Sequence, residues 1–324
     1  MEQPRHALAR ICVILALVAP ATAWLQSYPS KPIRYIVGGS AGSGTDTIGR
    51  IVAEGMGQAF GRQVIVENRP GGGSNIAAET VARSAPDGHT MLQTTITHTV
   101  NVTLYRHLSY SLTRDFSPVT LLANGPSVLV VHPSLPVKSV RELVKLATAR
   151  PGAIAYASGG TGTFTFFAAE LFKGQAHIDL LHVPYRGGGQ ALNAVLSGEA
   201  PVYFSPLAPA LPNVRERRLR PLAVTTLTRI ALVPELPTIA ESGFPGYQSG
   251  NWYGLLVPAR TPDDVVSAIR STAVTALKNP VLNKRLLELG YIVIGNEPQA
   301  FAAFIQSEIA QQAKIVHALN LNVE

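Results

Sequence analysis

Cysteine is almost missing from this chain: the only one among 324 residues is Cys12. It lies in an N-terminal stretch that reads as a secretory signal peptide. Arg5 and Arg10 form a basic region, "ICVILALVA" (Ile11–Ala19) an apolar one, and "ATA" (Ala21–Ala23) a small-residue cleavage site. The apolar run falls short of the roughly 20 residues that span a bilayer. Cys12 is not followed by the start of a mature chain, which speaks against a lipid anchor. Cleavage after Ala23 leaves 301 residues without cysteine. That excludes structural disulfides, thiolate catalysis and cysteine-ligated metals, so an exported chain of this length rests on its hydrophobic core.

Charge is also sparse, at 15% Asp, Glu, Lys and Arg. Beyond Ala23 the balance is +6, with 25 Lys and Arg against 19 Asp and Glu. This mild positive charge suits small anions and is too diffuse for nucleic acid. No Lys/Arg stripe with interleaved aromatics occurs, and the one dense cluster, "RERRLR" (Arg215–Arg220), reads as a solvated helix end. The eight histidines show no H-E-x-x-H or comparable ligand spacing. No carboxylates pair at a catalytic spacing. Ser158 lacks a nucleophile elbow, because Tyr156 stands where its first glycine belongs, and no base is visible near a serine. The expectation is a protein without catalytic residues, metal or organic cofactor.

What the sequence does have is glycine-rich turns between strands and helices. Short β-rich runs are expected at Ile33–Val37, Gln63–Glu67, Thr90–Thr94, Val128–Val131, Ile154–Ala157, Val202–Phe204, Leu222–Thr226, Tyr253–Val257 and Tyr291–Ile294. Between them Thr45–Phe60 carries Ile48, Ile51, Val52, Met56 and Phe60 at helical spacing. Thr261-Pro262-Asp263-Asp264 reads as a helix cap with proline at the first helical position. Phe301, Phe304, Ile305 and Ile309 form a further stripe near the C-terminus. Strands alternating with helices imply α/β sheets covered on both faces. Phe116–Gly125 and Thr225–Pro237 look like crossings between lobes. The expected division is a signal peptide at 1–23, a first lobe at 24–123 and 228–324, and a second lobe at 124–227.

The turn "VGGSAGSGTDTIGR" (Val37–Arg50) has the G-x-x-x-x-G spacing of a phosphate loop, yet Thr45-Asp46 replaces its Lys-Ser/Thr pair. The dinucleotide pattern fails too, since Thr47 stands where the third glycine belongs. The geometry survives: glycines admit close backbone approach, and a helix start offers N–H groups and partial positive charge to an anion. The same device recurs in "YASGGTGTFTFFAAELFK" (Tyr156–Lys173) and, more softly, in "QTTITHTVN" (Gln93–Asn101). In open α/β sheets such loops converge beyond the carboxyl ends of the strands.

Taken together, "VGGSAGSGTDTIGRIVAEGM", "VIVENRPGGGSNIAAETVARSAPDGHT", "HVPYRGGGQALNAVLSGE", "LPTIAESGFPGY" and "WYGLLVPARTP" resemble the Bug family. These are extracytoplasmic solute receptors of tripartite tricarboxylate transporter systems. The resemblance runs from Tyr28 to the C-terminus. It implies a two-lobed α/β periplasmic-binding-protein fold of the second type, each lobe a mixed sheet flanked by helices, closing on a small organic carboxylate held chiefly by backbone N–H groups. Carried onto this sequence, the first ligand loop is Ser40, Gly42, Ser43, Gly44, Thr45 and Asp46. Thr95, Thr97 and His98 match the loop after the third strand. Ser158, Gly160, Thr161, Gly162 and Thr163 match that of the second lobe, and Ser205 follows a strand where many members carry an acid. Relatives often have an aromatic at the Gly39 position and a histidine at Phe166. Without that acid and histidine an ammonium group lacks its counter-charge. The implied protein is a periplasmic monomer that delivers its ligand to a membrane permease. A sensory protein of the same fold and an exported hydrolase using Ser158 or Ser205 are the alternatives.

Overall fold

A computed structural model describes residues 28–323; the signal peptide and its expected cleavage site lie outside the described residues. The chain builds two sheets. Strands β1 (Ile33–Val37), β2 (Val64–Asn68), β3 (Thr90–Thr95) and β4 (Phe116–Gly125) begin the first sheet, and β5 (Ser127–Val131), β6 (Ala155–Ser158), β7 (Leu181–Pro184), β8 (Val202–Pro206) and β9 (Arg220–Val224) make the second. The chain then returns to the first sheet with β10 (Asn251–Pro258) and β11 (Ile292–Val293). Strand orders are β11-β4-β10-β3-β1-β2 and β7-β6-β8-β5-β9. In each sheet a parallel core (β2-β1-β3, β7-β6-β8) carries the helix crossovers; β10, or β5, runs antiparallel to it, and β4, or β9, pairs antiparallel to that strand in turn.

The helices that matter for the site follow parallel strands. They are α1 (Gly44–Phe60), α2 (Asn75–Ala82), α3 (Ile96–Leu104), and, after α4 (Val140–Ala149) in the second lobe, α5 (Phe164–Ala176), α6 (Gly188–Leu196) and α7 (Leu207–Arg215). The helices α8 (Asp263–Lys278), α9 (Pro280–Glu288) and α10 (Pro298–Ala318) close the first lobe. The expected apolar stripes do the packing. Ile48, Ile51, Val52 and Met56 of α1 are buried in a cluster with Ile269, Ala273 and Leu282 of α8 and α9. Phe301 and Ile305 of α10 join a second cluster that runs continuously into the other lobe, through Leu129, Phe167 and Phe204.

Three details differ from the sequence expectation. Phe116–Gly125 is no crossing but the ten-residue strand β4, paired along its length with β10. Pro118 hides it: the register shifts between Leu255 and Leu256, opposite Val119, so the proline sits at a bulge where a missing N–H is tolerated. The edge strand β7 was not expected either. At α8, Pro262 itself occupies the cap position and the Thr261 hydroxyl donates to Pro258 O at 2.7 Å, so Thr261 is not the cap.

The sheets exchange the chain at Pro126 and between Val224 and Asn251; the expected crossing after residue 227 falls inside that span. Residues beyond it still bond to the second lobe, through the Val224–Thr238 bridge and the Tyr247 hydroxyl donating to Ala168 O at 2.9 Å. Thr225 laces the two crossings together. Its N–H donates to Ser127 O at 2.9 Å, and its hydroxyl faces Ser127 O and Ser249 O at 3.1 and 2.5 Å.

Candidate functional site

The first loop owes its shape to Asp46. The carboxylate accepts the Gly42 N–H at 3.0 Å, the Arg50 Nε at 3.0 Å and the Asn68 amide at 3.0 Å. Gly42 holds a φ of 76°, which favours glycine. Burial opposes the charge of Asp46, but these donors outweigh it and hold the carboxyl below its ordinary range. Ser43 caps α1 by accepting the Asp46 N–H at 3.2 Å. Asp46 thus faces the loop, while Ser43, Gly44 and Thr45 face a cavity. A side chain at Gly39 would run into Ser43 Oγ and Thr45 Cβ, so the aromatic common in relatives has no room here.

His98 works similarly from behind. It is buried, its Nδ1 accepts the Thr95 N–H at 3.1 Å, and burial pushes its pKa down to about 4. Thr95 and Thr97 of that loop line the cavity. Gly71 and Ser74 from the β2–α2 turn line it as well. Ser74 has a φ of 71° and donates its hydroxyl to Gly38 O at 3.2 Å, joining the two turns.

In the second lobe, Ser158 is fully buried; its Oγ accepts the Gly160 N–H at 3.0 Å and meets His182 Nε2 at 2.6 Å. A base beside a serine, unseen in the sequence, therefore exists. His182 is stacked on Tyr156 and tilted against Phe166, with ring centroids 4.9 and 4.8 Å away, and burial lowers its pKa. Neither Ser158 nor His182 lines the cavity, and their contact braces the loop. Gly159 and Thr163 face the cavity, whereas Gly160, Thr161 and Gly162 do not. Thr161 instead offers its carbonyl to the Tyr105 hydroxyl of the opposite lobe at 3.4 Å. Ser205 is buried behind the wall, its hydroxyl donating to Pro206 O at 3.0 Å, and Pro206 takes the facing position.

The cavity lies between the lobes, has a volume of about 60 Å³, and has room for several waters or one small molecule. Helix starts from both lobes point at it: α1, α2 and α3 on one side, α5, α6 and α7 on the other. None of its lining side chains is charged, and seven lining residues are glycine. The N–H groups of Gly44, Thr45, Thr97, Thr165 and Gly188 find no acceptor among the described residues. The lobes also touch around it. Ser40, outside the lining, accepts the Gly189 N–H at 3.1 Å, and Thr97 Oγ1 accepts the Phe164 N–H at 3.0 Å. Not expected from the sequence were the lining residues Gly38, Gly71, Ser74, Phe164, Thr165, Gly187, Gly188, Tyr203, Pro206, Pro209 and Asn251. The glycine runs "PGGGSN" and "RGGGQ" carried the same strand-to-helix signal as the first loop; Asn251 carried none.

The description "TctC: Tripartite tricarboxylate transporter family receptor" matches residues 48–321. The chain belongs to this family. The receptor is 34% identical over 319 residues to the UPF0065 protein in the tcbD-tcbE intergenic region of Pseudomonas sp. strain P51, covering 98% of this chain and 95% of that one. It is similar to the solved structure of R. palustris Rpa4515 with adipate, at 31% identity and a TM-score of 0.88, covering 91% of this chain and 99% of the other. It is also similar to the periplasmic binding protein BugD, at 28% identity and a TM-score of 0.89, covering 92% and 100%. The two-lobed architecture is that of a type II periplasmic binding protein. The receptor is a periplasmic solute-binding protein of a tripartite tricarboxylate transporter, which delivers its solute to the permease and is not an enzyme.

Proposed function

We propose that the receptor captures a small organic carboxylate between its lobes, holds it mainly on backbone N–H groups, and hands it over as a monomer. The observation that carries this is the set of five unpartnered N–H groups at helix starts of both lobes, around a cavity without a charged side chain. Such groups carry partial positive charge and favour an anion. A carboxylate matches them because it is acceptor-only and satisfies several donors at once. Rpa4515, solved with the dicarboxylate adipate, supports an acid as the ligand class. The expected lobes, 24–123 with 228–324 and 124–227, would have their boundaries shifted to Pro126 and to the span between Val224 and Asn251. A sensory protein would use the same cleft; membership of a transporter-receptor family favours delivery to a permease.

Native mass spectrometry of the purified protein identifies the co-purifying solute, and calorimetry then compares that acid with its amide. The acid should bind at least about tenfold more tightly, as one charge-assisted hydrogen bond contributes about 1.5–3 kcal/mol. Equal binding of the amide would refute the anion reading.

A further inference from the structure

Outside the cleft, at the end of α3, the first lobe carries a second concavity of about 220 Å³, against about 60 Å³ for the interlobe cavity. Val102, Tyr105, Leu108, Tyr110 and Leu112 give it apolar and aromatic walls, and Arg106 adds one exposed guanidinium. No acidic residue lines it. Arg106 forms no ion pair among the described residues, in contrast to the arginines that do. Asp115, the acid next along the chain, is engaged elsewhere and accepts the Ser111 N–H at 2.7 Å. The groove therefore joins an apolar bed to one cation without a counter-charge.

Its two aromatic walls are tied to the seam between the lobes. The Tyr105 hydroxyl donates to Thr161 O of the second lobe at 3.4 Å. A Cβ on Gly162 would meet the Tyr105 ring at 2.8 Å, and one on Gly73 would meet its hydroxyl at 2.8 Å. One ring is thus a wall of the groove and the resting point for a glycine turn from each lobe. Tyr110 donates its hydroxyl to Asn75 Oδ1 at 2.7 Å. That oxygen also accepts from Asn101 Nδ2 at 3.0 Å, and Asn101 Nδ2 donates to Gly73 O at 2.7 Å. Gly73 sits between Gly71 and Ser74, which line the interlobe cavity. Parting the lobes would withdraw Thr161 and Gly162 from Tyr105 and free one wall of the groove.

We propose that this groove is a second binding site, for a small anion with a flat apolar body such as an aromatic carboxylate, and that its occupancy favours the closed form. The apolar body packs on Tyr105, Tyr110 and the leucines, and the carboxylate faces the Arg106 guanidinium. A ligand that binds better where Tyr105 is held by the second lobe shifts the population toward closure. By linkage, closure on a solute tightens the groove by the same factor. The site is separate from the interlobe cavity, so it stands or falls independently of what the cleft holds.

The test uses the full mature chain with 2-naphthoate as probe and the neutral 2-naphthamide as control. In calorimetry naphthoate should bind about fivefold more tightly than the amide, the upper range for an exposed ion pair. Arg106→Ala should remove that preference. Val102→Glu, at an exposed position, should weaken naphthoate roughly tenfold, and circular dichroism confirms the fold of both variants. Gly44→Val, which obstructs the cleft, should bind naphthoate as the parent does. Hydrogen exchange across residues 159–163 should slow with naphthoate in the parent and stay unchanged in Tyr105→Phe, which lacks the hydroxyl that reaches Thr161. Naphthoate lost in Gly44→Val but kept in Val102→Glu would place it in the cleft and overturn the proposal. So would an absence of binding, an amide bound as tightly as the acid, or unaltered exchange at 159–163 with naphthoate at saturation.

Discussion

Asp46, His98 and Ser158 are all polar, all buried, and all turned toward the backbone of a ligand loop and not toward the ligand space. Each fixes the direction of N–H groups that the loop then presents. Ser43 bridges the two roles, since it caps α1 and lines the cavity. Ser43→Ala should lower stability by about 1 kcal/mol, the usual effect of losing such a cap, and denaturant unfolding measures it. The histidines set an acid limit. A buried neutral His98 has its pKa lowered from 6.5 to about 4, and that of His182 is lowered too. The unfolded chain therefore binds more protons, and stability should fall as pH drops from 6.5 toward 4. The depressed carboxylates Asp46, Asp87, Glu67 and Glu241 begin to lose their contribution only as pH falls through their ordinary values of 3.8 and 4.5, at the acid end of this window, so the slope above about pH 5 belongs to the histidines. His98→Gln, which keeps an acceptor for the Thr95 N–H, should flatten the unfolding free energy between pH 6.5 and 4; an unchanged slope would show that His98 does not titrate there.

At the scale of elements, the site is six strand–turn–helix units, three from each sheet, whose starts meet. The glycines at the seam permit this approach. A Cβ on Gly189 would strike Ala41 O and come within 3.2 Å of Ser40 Oγ across the cleft, although Gly189 itself sits inside α6 without a positive φ. Gly189→Ala should therefore fold normally yet resist closure. Ligand affinity should drop roughly tenfold or more, equivalent to about 1.4 kcal/mol, and solution scattering should show a larger radius of gyration with ligand than the parent. The units around Ser43, Thr97 and Thr163 were legible because a Ser/Thr/Gly turn stood between an apolar run and an amphipathic stripe. The β2–α2 and β7–α6 units carried glycine runs, but β7 is a four-residue edge strand of mixed exposure with no periodic signal. β4 was illegible as a strand because the run Val119–Ala123 is buried on both faces and so does not alternate, and Pro118 interrupts it. Within a legible loop, sequence could not separate residues that face the cavity from those that brace it. Asp46 and Gly42 look equivalent to Ser43 and Gly44 until the hydrogen bonds are drawn.

At the scale of the whole molecule, the interlobe cavity has in its lining Asn251, where the chain returns to the first sheet. Hydroxyl contacts across the seam, Ser40 with Gly189 and Thr97 with Phe164, align the two sets of helix starts. Asn251 was out of reach of sequence reasoning, since only the return of β10 to the crossing brings it under the cavity. The central claim is that backbone N–H groups, not a basic side chain, hold the ligand. Calorimetry of the co-purifying acid with Gly44→Val, Gly188→Val and a series of single Lys→Ala and Arg→Ala variants tests it most directly. A Cβ at Gly44 would meet Pro206 Cβ at 2.7 Å, and one at Gly188 the Tyr203 hydroxyl at 3.0 Å, so both valines obstruct the N–H groups. The account predicts that both glycine variants lose binding by roughly a hundredfold or more, about 2.7 kcal/mol, while every Lys or Arg variant retains it within about tenfold. A single basic residue whose removal abolishes binding, with Gly44→Val and Gly188→Val binding as the parent does, would contradict it.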